Sequence, residues 1–79
     1  MKVIKIVETS SKILVFFNDS SILEMQGELT VGGFAASMNS MQWVGKNDEI
    51  SLKEKNILRK EILKENRINN YCCFDIYPD

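Results

Sequence analysis

A chain of 79 residues, 44% hydrophobic and 27% charged, has room for one domain and one modest core, because a domain of this size buries only about 60% of the surface that its unfolded chain exposes. Its formal net charge of −1 removes any whole-molecule attraction to nucleic acid or an anionic membrane, and the lack of histidine removes the most common metal ligand and general base. No apolar run approaches the roughly 20 residues of a membrane span, and Met1, Lys2, Val3, Ile4 and Lys5 do not form a secretory signal, so a cytoplasmic location is expected.

In chain order, residues 2–7 are β-branched and partly alternating. Residues 12–17 carry a nearly continuous apolar run, Ile13, Leu14, Val15, Phe16 and Phe17, too short for a helix of its own; both segments predict strands. Thr9, Ser10 and Ser11 separate them. Asn18, Asp19, Ser20 and Ser21 supply the next turn through short polar side chains that bond their own backbone, and residues 21–25 predict a third strand of an antiparallel meander. Gly27 interrupts that strand, residues 29–31 are able to continue it, and Gly32 and Gly33 permit a bend or a positive φ. Residues 34–38 predict a fourth strand, although the alanines there also suit a helix.

Ser51, Leu52, Lys53 and Glu54 have the form of a capping box, in which the serine oxygen accepts from a free backbone N–H and the glutamate returns the bond. A helix is predicted over residues 52–66. At helical period Leu52, Leu58, Ile62 and Leu63 share one broad face, Lys53, Lys60, Lys64 and Arg67 one flank, and Glu54, Glu61 and Glu65 another. Asn69 and Asn70 end this section, residues 71–77 alternate as a final strand, and Pro78 stops it. The expected fold is α+β: an antiparallel sheet of four to five strands with one long helix packed across it, in the order β-β-β-(β)-α-β, as a single domain over residues 1–79.

The stretch from Gly27 to Trp43 contains no Lys, Arg, Asp or Pro. Gly27, Glu28 and Leu29, then Gly33, Phe34 and Ala36, then Ser40, Met41 and Trp43, then Ile50, Glu54 and Lys55 form an ordered set that resembles the immunity protein 74 family of bacterial polymorphic toxin systems, of the contact-dependent growth inhibition-like kind. The likeness covers roughly the last two thirds of the chain. It departs from the family pattern after the tryptophan, where Val44, Gly45, Lys46, Asn47, Asp48 and Glu49 stand in place of a proline-containing acidic loop. The resemblance implies a protein that binds and neutralises the C-terminal domain of a cognate toxin by stoichiometric association, with nucleases among the toxin classes it allows. It implies no enzymatic activity, no cofactor and no residue-level role.

Charge placement nominates the contact residues. From Ile13 to Gly45 there is no Lys or Arg, only Asp19, Glu24 and Glu28, whereas most of the cations lie between Lys46 and Arg67. Glu24, Glu28, Asp48 and Glu49 are therefore the predicted toxin-binding residues, an acidic set suited to a basic cleft. Three of them have a plainer role available: Glu28 as a partly buried carboxylate paired with Arg59 or backbone donors, and Asp48 and Glu49 as anions near the positive helix start. Trp43 is expected in the core, with an interface anchor as the alternative; Phe34, Leu58 and Ile62 are expected core residues and Ser51 the helix cap. The Gly32-Gly33-Phe34 step lacks the spaced glycines and Lys-Ser/Thr of a phosphate loop. Cys72 and Cys73, adjacent in a strand, would point to opposite faces, so two reduced thiols are expected and no metal site. The expected partner is the toxin, with no nucleic acid and no membrane, and the protein a monomer until it binds. The alternative function is a small nucleic-acid-binding regulatory module that uses the basic helix flank; an accessory enzyme would need a catalytic set that the sequence does not offer.

Overall fold

The computed structural model describes residues 2–71 and 73–78. Strands β1 (Val3–Glu8), β2 (Lys12–Phe17) and β3 (Ile22–Thr30) form the expected antiparallel meander. In β2 every second side chain, Ile13, Val15 and Phe17, is buried, while Leu14 and Phe16 are half-buried on the opposite face. The apolar run is thus a strand with an apolar residue on both sides. A register shift between Val3 and Lys5 leaves Ile4 exposed. Side chains close the turns: the Lys12 N–H donates to Thr9 Oγ1 at 3.0 Å, and the Ser21 N–H to Asp19 Oδ1 at 3.0 Å, beside Ser20 at φ 73.

β3 has two partners along one edge. Its first half pairs with β5 (Gln42–Trp43) and its second half with β4 (Gly33–Ser37). Between these pairings the five residues Ser37 to Met41 oppose only Met25 and Gln26, and a 3-10 turn at Met38–Ser40 absorbs the excess. A side chain bridges the break: Ser40 Oγ accepts from the Gln26 N–H and donates to the Ser37 carbonyl, both at 2.7 Å. Gly27, which was expected to interrupt the strand, lies within it. A Cβ there would overlap the Ala35 carbonyl oxygen and stand 2.8 Å from the Phe34 ring, so the glycine serves close backbone approach to β4. Gly33 does turn the chain, at φ 138, and a Cβ there would strike the Cys73 carbonyl.

Helix α1 (Leu52–Asn69) begins at the expected cap, with Ser51 Oγ accepting from the Glu54 N–H at 3.2 Å. It ends where Asn70 adopts the left-handed conformation, one turn beyond the expected boundary. Leu58 and Ile62 are buried and Leu63 is half-buried. Leu52 is 63% exposed instead of packed; six residues before Leu58, it falls about 120° away from it around the helix.

β6 (Phe74–Tyr77) is shorter than the predicted strand and pairs with β4 in parallel, not antiparallel. Parallel neighbours need a crossover, and α1 supplies it. The strand order is β1-β2-β3-β4-β6, with β5 beside β3, and the helix covers one face of this mostly antiparallel six-stranded sheet. The core between them includes Ile13, Val15, Leu23, Met25, Phe34, Ile62 and Ile76. The Tyr71 hydroxyl lies 3.4 Å from the Val3 carbonyl oxygen and ties the segment before β6 back to β1. Cys73 is exposed and precedes β6, with its Sγ 3.1 Å from the Gly32 carbonyl oxygen; the expected geometry of the cysteine pair lies outside the described residues because it rests on Cys72.

Candidate functional site

Alternation fixes what the helix-free face of the sheet displays. Along β3 the buried Leu23 and Met25 alternate with Ile22, Glu24, Gln26 and Glu28, and the ladder sets Glu24 beside Leu14 on one side and Gln42 on the other. On the β1–β2 side, Lys5 lies over the Phe16 ring, 5.4 Å from its centroid, and Lys12 Nζ is 3.5 Å from Glu24 Oε2. Glu24 is therefore compensated. The pair is partly exposed and worth at most about 1 kcal/mol.

Asp48 and Glu49 are exposed and line a cleft of about 460 Å³ between the 3-10 turn, β5 and the loop before α1. Gln26 and Gln42, the strand and ladder neighbours of Glu24, line it as well. Lys46 and Lys55 also line it, and Lys55 Nζ donates to the Asn39 carbonyl at 2.9 Å. Two lysines offset the two acids of this cleft, because the loop and the helix bring cations against β5.

Glu28 stands apart from that cleft. It is exposed rather than partly buried, and it lines a separate hollow of about 330 Å³ with Gly27, Ala35, Ala36, Ser37 and Tyr77. Its anticipated partner is engaged elsewhere, since Arg59 Nε–H donates to the Ile76 carbonyl at 2.6 Å. The structure thus sets Glu24, Asp48 and Glu49 around one region and Glu28 in another.

Trp43 is half-buried at the edge of the core and not inside it. Its ring meets Phe17 edge-to-face at 5.7 Å between centroids, and Lys46 Nζ lies 5.7 Å from its centroid on the other side. The register sets Trp43 beside buried Leu23, so the ring lies on the core side of the sheet. Phe34, Leu58 and Ile62 are buried as expected. Lys53, Lys60, Lys64 and Arg67 are all exposed.

Asp75 and Tyr77 carry information that the sequence reading missed. β6 places both on the same sheet face as Glu28, and the register sets Asp75 beside Ala35 and Tyr77 beside Ser37. The alternation Phe74, Asp75, Ile76, Tyr77 was visible, but the identity of the neighbouring strand was not. Asp75 Oδ1 accepts the Ile76 N–H at 2.8 Å. Asp19, in its turn, has a carboxyl held below the usual carboxylate range by the Ser21 backbone and hydroxyl donors. Among the described residues no three of Cys, Asp and Glu gather into a group that could hold a metal ion, and no helix is long and apolar enough to cross a membrane.

No protein-family model matches the chain, and no curated protein or solved structure matches it.

Proposed function

We propose that this protein is an immunity protein, which binds the C-terminal domain of a cognate bacterial toxin and neutralises it by occupancy, without chemistry of its own. The observation that carries the reading is the solvent-facing side of the sheet. Half-buried Leu14, Phe16 and Ile22 lie there beside Glu24, Gln26 and Glu28, with Lys5 over Phe16 and Lys12 paired with Glu24, a mixture of apolar and charged side chains that suits a protein surface. The likeness of the segment from Gly27 to Lys55 to the immunity protein 74 family supports the same conclusion. In this reading Glu24, Glu28, Asp48 and Glu49 contribute the attractive charge.

The test is co-expression with a toxin domain encoded beside this chain. Protected cells and a one-to-one complex are expected; no protection and no complex would remove the proposal. Changing Asp48 and Glu49 together to Lys should slow association and reduce its salt dependence, whereas Lys60→Glu with Lys64→Glu should change either much less. The competing reading is a nucleic-acid-binding module, favoured by the exposure of Lys53, Lys60, Lys64 and Arg67. It requires affinity for DNA or RNA that falls steeply with salt and disappears with the helix-flank reversals.

A further inference from the structure

The helix-free face is not uniform. On β4 the side chains that face outward are small, at Gly33, Ala35 and Ser37, while those of the flanking strands are large: Glu28 and Thr30 on β3, Asp75 and Tyr77 on β6. The result is a trough along β4. Two hollows of about 330 and 200 Å³ lie in it and share Tyr77 as a wall. Glu28 and Asp75 flank Ala35 at the same level, one strand away on each side, which puts their Cα atoms about 10 Å apart.

Charge separates this trough from the cleft at Asp48 and Glu49. Among the described residues no Lys or Arg lines either hollow, whereas the cleft carries Lys46 and Lys55. Glu24 has Lys12, and Arg59, the helix cation nearest in the bonding pattern, is engaged with the Ile76 carbonyl. Tyr77, 53% exposed, is an apolar wall on this face, and Val31 at the hairpin tip is fully exposed, whereas Leu29, opposite buried Phe34 in the register, lies on the other face. Strand addition at the neighbouring edge is hindered, because on β6 the Ile76 N–H is taken by Asp75 and the Ile76 carbonyl by Arg59. What remains open is the face.

We propose that the trough along β4 is a docking surface for a basic segment of a protein partner, with a Lys or Arg side chain lying on Ala35 between Glu28 and Asp75 and its stem against Tyr77. This deepens the immunity reading and rests on it for the identity of the partner. A long basic side chain fits on both counts, since its methylenes suit the alanine floor and tyrosine wall and its head meets two carboxylates.

The experiment needs no toxin. The ¹⁵N-labelled full chain is titrated with a short synthetic peptide of alternating arginine and leucine, and with a control carrying glutamate for arginine, while amide shifts are followed by NMR. Saturable shifts centred on Glu28, Ala35, Ser37 and Tyr77 are expected with the basic peptide alone, weakening at least tenfold in a Glu28→Gln, Asp75→Asn double variant. Both residues are exposed, and asparagine keeps an acceptor for the Ile76 N–H, so the variant should fold; its unchanged urea midpoint is the control. Shifts centred on the Asp48–Glu49 cleft or the helix, equal binding of both peptides, no saturable binding, or undiminished affinity in the double variant would each overturn the proposal. Failure here with cells still protected from the toxin leaves the immunity reading standing, whereas peptide binding without protection removes that reading and keeps the trough.

Discussion

Replacing Gly27 with alanine isolates one packing claim. The added Cβ would overlap the Ala35 carbonyl oxygen and approach Phe34 Cε1 to 2.8 Å and the Ala35 carbonyl carbon to 2.9 Å. Two of these three atoms are backbone in a paired strand, so relief requires β3 and β4 to move apart. Overpacking of this kind costs about 1–3 kcal/mol, offset by about 0.5–1 kcal/mol from the lower chain entropy of alanine in the unfolded state. The net expectation is a loss of about 1–2 kcal/mol, out of a total near 4–12 kcal/mol for a domain of this length. In a thermal melt that is a fall of about 5–15 °C. Urea unfolding followed by Trp43 fluorescence gives the same quantity independently. Gly32→Ala is the matched control, since its Cβ would meet nothing within 4 Å and its φ is not in the left-handed region. That variant should be neutral or more stable by up to about 1 kcal/mol. A Gly27→Ala protein that melts at or above the parent temperature would refute the close approach of β3 and β4.

Trp43→Ala should cost about 2 kcal/mol, below the 3–5 kcal/mol of a fully buried aromatic, because the ring is only half-buried at the edge of the core; a loss above about 4 kcal/mol in urea titration would mean that the ring is a core residue after all. Ser51→Ala should remove the cap of α1 and lower stability by about 1 kcal/mol, read as a shift in urea midpoint with unchanged slope. Asp19 has a folded-state pKa below its unfolded value, so its stabilisation is fully present above about pH 4 and is lost as pH falls through the folded value. Asp19→Asn keeps an acceptor for the Ser21 N–H but cannot titrate, and melts taken between pH 5 and pH 2 should show less acid loss than the parent; identical pH profiles would exclude the turn as a contributor.

The first three strands and the helix were legible in the sequence because their causes are local. Period-two burial in β2, short polar turn residues at Asn18 to Ser21, a serine cap and a left-handed asparagine each act within a few residues, and the amphipathic pattern of Leu58 and Ile62 specifies which helix face packs. Tertiary structure decided the rest. Alternation in Phe74, Asp75, Ile76 and Tyr77 is the same for a parallel or an antiparallel strand, so only the crossover through α1 placed β6 beside β4 and Asp75 across Ala35 from Glu28. A glycine that breaks a strand and one that lets two backbones meet look alike until the second backbone is in place, as Gly27 shows. The acidic bias from Ile13 to Gly45 was a fact about order along the chain, and folding returned Lys46 and Lys55 to one part of that surface while, among the described residues, no Lys or Arg lines the trough along β4. Electrostatic neighbours are set by distance in space, which sequence order constrains only over a turn or two.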